Sequence, residues 1–179
     1  QLCWTGGEEL ERQAAADLYT LISGSTSKKV YFHMSQADNS QFCTCDRCNK
    51  AISEYAYNYA GLQIAFANNV CKYLKEMLTE NGLGDRDVRI VLFAYTQTET
   101  PPMVSDGNGS WKPFSDKVKP CDMLYFEWAP IYTDYSVGYN HVNNEERRTI
   151  LQMWKKMFDI CGQTNRMSVW TYETNFSYF

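Results

Sequence analysis

Three cysteines fall within six residues, Cys43-x-Cys45-x-x-Cys48, just past an Asp38-Asn39 pair in the run VYFHMSQADNSQFCTCDRC. A hydrophobic core does not call for thiols this close together, whereas a metal clip or a disulfide knot does. A zinc tetrathiolate needs a fourth sulfur, and Cys3 is the natural candidate. It ends the apolar run before Val30–Met34, and parallel strands joined by one crossover lie side by side. Disulfide pairing and uncoordinated thiols are the alternatives, with an iron–sulfur cluster a minor one. Four protein sulfurs leave no open position for water, so a catalytic zinc is not expected. Metal or disulfide, the cysteines would pin the segment that holds Asp38.

The second source of chemistry is a set of carboxylates placed after apolar runs. The first run leads to Gln36, Asp38 and Asn39, and the second to Tyr95, Gln97 and Glu99. The third ends in Glu127 and Trp128, the fourth in Tyr172, Glu173 and Asn175. Breaking a glycosidic bond takes two carboxyl groups, one protonated to assist the leaving oxygen and one ionised as nucleophile or base. Asp38 is the candidate general acid or substrate-orienting residue, Glu173 its partner and Glu127 the reserve. Asn39, Tyr95, Trp128, Trp170 and Tyr172 are candidate sugar contacts, because pyranose C–H faces stack on aromatic rings. A single carboxylate of this kind more often caps a helix or pairs with arginine; four in succession give the set its weight. His33, in mid-strand, reads as a core histidine, and His141 stands in a loop from which it could reach a substrate. No GxSxG elbow and no Gly-rich phosphate loop is present.

The elements that must position these groups alternate. A helix over Leu10–Ile22 has Glu8 and Glu9 in its first turn, Thr5 as its expected cap and Gly24 as its stop. Val30–Met34 is a short strand. A second helix is expected over Glu54–Glu80, ended by Asn81-Gly82. Val88–Tyr95 is the strongest strand, apolar enough to be buried on both faces. The next 25 or so residues are broken by Pro101, Pro102, Gly107, Gly109, Pro113 and Pro120, longer than an ordinary connection and so expected to be functional. Met123–Trp128 is a strand, Asn144 can cap a helix ended by Gly162, and Met167–Tyr172 is the last strand. Uniformly apolar strands alternating with helices call for parallel strands joined by crossovers.

Composition narrows the classes. The 179 residues are 44% hydrophobic and 21% charged, which is globular and enough for a full core. A net charge of −4 without a Lys/Arg cluster argues against nucleic acid as the partner. No apolar stretch approaches the ~20 residues that span a membrane. Aromatics make up 15%, thirteen of them Tyr, which suits a carbohydrate cleft. Seven cysteines, with Cys71 and Cys161 on apolar helix faces, lean towards a reducing compartment. Gln1, Leu2 and Cys3 read as the tail of a strand already under way. A complete (β/α)8 barrel takes about 250 residues, so the expectation is a single α/β unit over residues 1–179. It would be the central part of a larger barrel, and alone it would self-associate.

The Leu2-Cys3-x-Thr5 start, the Asp38-Asn39 pair, the C-x-C-x-x-C run and the Ala94-Tyr95…Pro101-Pro102 strand exit occur together and in order. In these the chain resembles the domain of unknown function 4838 family, found in large bacterial proteins related to α-glucuronidase and β-hexosaminidase barrels. The resemblance implies a partial (β/α)8 barrel, roughly strands three/four to seven, in a protein that acts on or binds carbohydrate; it allows a secreted location. It implies Val30–Met34 as strand four and Met167–Tyr172 as strand seven, so that Asp38 and Glu173 match the acid and nucleophile positions of many retaining barrel glycosidases. Where those enzymes have Asn-Glu or Asp-Glu, this chain has Ala37-Asp38-Asn39. The alternative reading is a non-catalytic carbohydrate-binding scaffold organised by the cysteines. No cofactor is needed for the chemistry itself; a structural zinc is the one candidate ion.

Overall fold

The computed structural model describes residues 2–39 and 41–171. Four parallel strands form one sheet in the order β1 (Lys29–His33), β2 (Asp87–Ala94), β5 (Leu124–Trp128) and β6 (Met167–Val169). Strands adjacent in this chain order are also adjacent in the sheet, as in a (β/α)8 barrel and unlike the reversed order of a dinucleotide-binding sheet. The sheet is open among the described residues.

Helix α1 (Glu8–Ser23) precedes β1, α2 (Asp46–Ala51) and α3 (Tyr59–Glu80) connect β1 to β2, and α4 (Glu145–Ile160) connects β5 to β6. Strand side chains alternate between two faces. Val30, Ile90, Leu92, Ala94, Leu124, Phe126 and Trp128 turn one way and form a single core with Ile22, Phe66, Val70, Leu74, Ile150, Trp154 and Phe158 from the helices. On the other face stand Tyr31, His33, Arg89, Phe93, Tyr125 and Glu127, none of them part of that core. A parallel sheet with helices on one face and ring-bearing and charged side chains on the other is consistent with one wall of a partial barrel.

Several expectations need correction. β2 is fully buried on its helix-facing side only: on the inner face Val91 is buried, but Arg89 and Phe93 are partly exposed. His33 is likewise on that inner face rather than in the core. Leu2 and Cys3 are in no strand; Cys3 O instead accepts from Gly6 N at 2.8 Å, a turn into α1. Gly7, not Thr5, is the cap residue of α1, and it makes no side-chain cap bond. The helix expected over Glu54–Glu80 is two pieces, the end of a π-helical turn (Ile52–Ala56) and α3, and α2, which was not expected, precedes them. The break falls where Tyr57 takes φ 71°, and Asn58 restarts the helix by accepting from Gly61 N at 2.9 Å. Asn144 is the cap residue of α4, as expected, but makes no side-chain cap bond; its side chain instead accepts from Asp134 N and donates to Asp134 O.

The segment after β2 contains an antiparallel hairpin, β3 (Met103–Ser105) with β4 (Trp111–Pro113), packed against α4 rather than over the strand ends. It replaces a crossover helix. Gly24, Gly82 and Gly162 do follow the helices they were expected to end.

Candidate functional site at the carboxyl ends of the strands

Each parallel strand delivers its chain to the same edge of the sheet, and a cavity of about 270 Å³ opens there. It is lined by Gln36 and Asp38 after β1, Phe93 at the end of β2 and Tyr95 beyond it, Ala129 after β5 and Trp170 after β6. All four strands thus contribute a lining residue at or just past their ends. This is the edge where parallel α/β folds place their ligands.

Gln36 is the best-anchored member. Its Nε2 donates to Tyr95 O at 3.0 Å, and its Oε1 accepts from Gln63 Nε2 at 3.1 Å and Thr98 Oγ1 at 3.3 Å. Ser35 Oγ accepts from Phe93 N at 2.9 Å, tying the start of the same segment to β2. Trp170 N donates to Trp128 O, so the chain past β6 continues the ladder and carries the Trp170 ring, 53% exposed, into the cavity wall. Asp38 is exposed beside it, with Asn39 turned into a local bend in which Asn39 Oδ1 accepts from Gln41 N.

Other expected site residues are placed elsewhere. Trp128 is 1% exposed and packs in the core, its Nε1 donating to Glu99 Oε1 at 3.2 Å; a platform for sugar does not fit that burial. Glu99 is also withdrawn, ion-paired to Arg147 beneath the hairpin, with burial pushing its carboxyl up against the opposing pull of Arg147 and Trp128. Glu127 is on the inner face, one carboxylate oxygen 4.0 Å from His33 Nδ1, and His33 in turn lies against Phe93 with ring centroids 5.6 Å apart. His141 accepts from Asn143 N with Nδ1 and so shapes its own loop. Tyr172 and Glu173 lie outside the described residues. Sequence reasoning missed Phe93 and Gln63 as parts of this region; the period-2 alternation of β2 could have found the first, and nothing in the pattern marks the second.

The four cysteines do come together. Cys3, Cys43, Cys45 and Cys48 have their sulfurs within 4.8 Å of one another, with Cys3–Cys48 at 3.7 Å and Cys3–Cys45 at 3.8 Å. A tetrahedral site with metal–sulfur bonds of about 2.3 Å sets neighbouring sulfurs about 3.8 Å apart. The observed spacing matches that edge and is far from the ~2.05 Å of a disulfide; the cysteines are not disulfide-bonded. The Thr5 hydroxyl lies 3.2 Å from Cys48 Sγ and 3.4 Å from Cys3 Sγ, which is where this residue works instead of capping α1. Cys45, exposed at the start of α2, is brought to about 6 by the Cys48 backbone N–H and the neighbouring thiols. Burial pushes Cys48 up to about 12. The donor set is soft, compact and one-signed, and it could hold one thiophilic metal ion.

No curated protein matches the chain, and no solved structure matches it. One family description does, from the first residue to the last: residues 1–179 match Domain of unknown function (DUF4838), and the chain belongs to that family.

Proposed function

We propose that the protein is a carbohydrate-active barrel of the glycoside hydrolase type, with its glycan held in the cavity above the strand ends. The observation that carries this reading is the join of a carboxylate and a half-open indole in one cavity, Asp38 facing the space that Trp170 and Tyr95 also line. An exposed indole offers the apolar face that a pyranose ring needs, and Gln36 is fixed beside it by three hydrogen bonds. Asp38 would donate a proton to the leaving oxygen or orient the sugar. The partner carboxylate would be Glu173 or, from the inner face, Glu127. In the cysteine cluster we place a structural zinc, on the fit of the sulfur spacing to a tetrahedral tetrathiolate.

A second reading, a carbohydrate-binding barrel without turnover, is supported by one fact. Among the described residues Asp38 is the only carboxylate lining the cavity. One experiment separates the two: binding and hydrolysis over a panel of aryl glycosides and oligosaccharides, with D38N, E127Q, E173Q and W170A made singly. The catalytic reading expects binding in D38N with turnover down about 100-fold or more, and weakened binding in W170A. Binding with no turnover in the unmodified protein selects the second reading. No glycan bound by any form overturns both.

A further inference from the structure

The cysteine cluster and the cavity share a piece of chain. Between His33 and Asp46 no described residue lies in a helix or strand, so the segment bearing Gln36 and Asp38 is held by its ends and by a few side chains. At one end Met34 N donates to Val91 O, and Ser35 and Gln36 bind β2 and its continuation. At the other end are Cys43, Cys45 and Cys48, with the Phe42 ring packed at a tilt between Trp4 and Tyr59 at centroid distances of 5.6 and 4.6 Å. Asp38 stands between the two anchors, and only one of them is regular structure.

A second connection runs through α3. Leu62 packs with Cys48, Ala51 and Ala56 in the small core beneath the cluster. The next residue, Gln63, is 3% exposed and donates to Gln36 Oε1 at 3.1 Å. Cluster and cavity are therefore bridged by a covalent segment on one side and by a Leu62–Gln63 step of one helix on the other.

We propose that a metal ion in the four-cysteine cluster is the positioning device of the cavity: filling the cluster orders Gln36, Asp38 and Asn39, and Gln63 transmits the same constraint to Gln36. This rests on the carbohydrate reading for what the cavity binds and on the tetrathiolate reading for what orders it. Without an ion no bond joins the four sulfurs, which are not disulfide-linked, and the Cys43–Cys48 turn is held only by side-chain packing and weak sulfur contacts. A tetrahedral ion fixes all four, and with them the position of Asp38. Because binding free energies are reciprocal, the metal tightens sugar binding by the same factor by which sugar tightens the metal, and couplings of this kind are about 5-fold to 150-fold.

The test uses the metal alone. The whole chain is stripped with a chelator and titrated with cobalt(II), whose thiolate charge-transfer bands report tetrahedral sulfur ligation, and then with zinc. Backbone relaxation is measured by NMR in the stripped and zinc-loaded states. Order parameters at Gln36, Asp38 and Asn39 are expected to rise from below about 0.6 to about 0.85 on loading, with β2 and α3 unchanged. In Gln63→Leu the cobalt bands are expected to persist while the rise at Gln36 is reduced. Ordering confined to Cys3–Thr5 and Cys43–Cys48 overturns the proposal. So does the absence of cobalt ligation, and so does loss of order across β2 and α3 on stripping, which would make the metal a requirement of the whole fold. None of these readouts involves sugar, so a failure here is distinct from failure of the carbohydrate reading.

Discussion

The carboxyl of Glu99 is 2% exposed and contacts Arg147, itself 8% exposed, while Trp128 Nε1 donates to its other oxygen and Trp154 Nε1 to its backbone carbonyl at 2.8 Å. Such a pair costs two desolvations, so its net contribution is small, but removing one partner strands the other. Arg147→Met is therefore expected to destabilise the fold by about 3–5 kcal/mol, read from urea unfolding. The Glu99→Gln/Arg147→Met double variant is expected to recover part of the loss. The sign with pH follows from burial, which raises the carboxyl in the folded state above its unfolded value. The unfolded chain releases that proton first, so stability falls as pH rises through the interval between the two values. In Arg147→Met, with the opposing charge gone, this fall should be steeper, and mild acid should rescue stability. An equal loss at every pH would show that Glu99 is not what the arginine compensates. From sequence, Glu99 is one more carboxylate at a strand exit; only the turn of the chain past Thr98 decides that it faces α4 and not the cavity.

At the scale of elements, the joint between the π-helical turn and α3 is the least forgiving. A Cβ on Gly61 would stand 1.8 Å from Ala56 O, a backbone atom with nowhere to go. Gly61→Ala should cost about 3 kcal/mol or more and loosen the small core of Cys48, Ala51, Ala56 and Leu62 beneath the cysteine cluster. Thermal unfolding checks the first effect and cobalt affinity the second; unchanged affinity would detach the cluster from this joint. The joint also shows what the sequence could and could not convey. Apolar periodicity from Leu62 to Leu78 was enough for α3, and β-rich runs between turn residues were enough for β1, β2 and β5. The same periodicity runs on smoothly through residues 54–61, and nothing in it records that Tyr57 leaves the helix and Asn58 starts another. The Cys43-Cys45-Cys48 spacing announced the cluster because ligand spacing is local; Cys3 does join it, but from the turn into α1 and not, as expected, from the end of a neighbouring strand. The fate of Trp128 was not legible, since an alternating strand needs its register fixed before inner and outer residues can be told apart. Burial of Leu124, Phe126 and Trp128 on the helix side puts Tyr125 and Glu127 inside.

At the scale of the whole molecule, among the described residues the sheet has two unpaired edges, β1 and β6, and one uncovered face. The lower part of that face is a ladder of cations and rings: Lys29 over Tyr31, Arg89 over Tyr31 and Tyr125, Arg166 over Tyr125. The Asp87 carboxylate pairs with Arg89 at its rim. Two copies stacked face to face would bring these positive rows together, so faces repel where edges still attract. Edge strands with free N–H and C=O groups are templates for pairing. The 179-residue chain is therefore expected to associate through β1 and β6, with a mass by light scattering that rises with concentration. A charge on the edge should oppose this. Val169→Lys, at a half-exposed position of β6, should shift the mass towards the monomer while leaving far-ultraviolet dichroism unchanged. Salt tells the two geometries apart: screening the cationic rows would promote stacking of faces, whereas pairing along backbone edges should respond weakly. A monomer at every concentration would mean that both edges are already protected, and association growing steeply with salt while Val169→Lys has no effect would move the contact to the inner face.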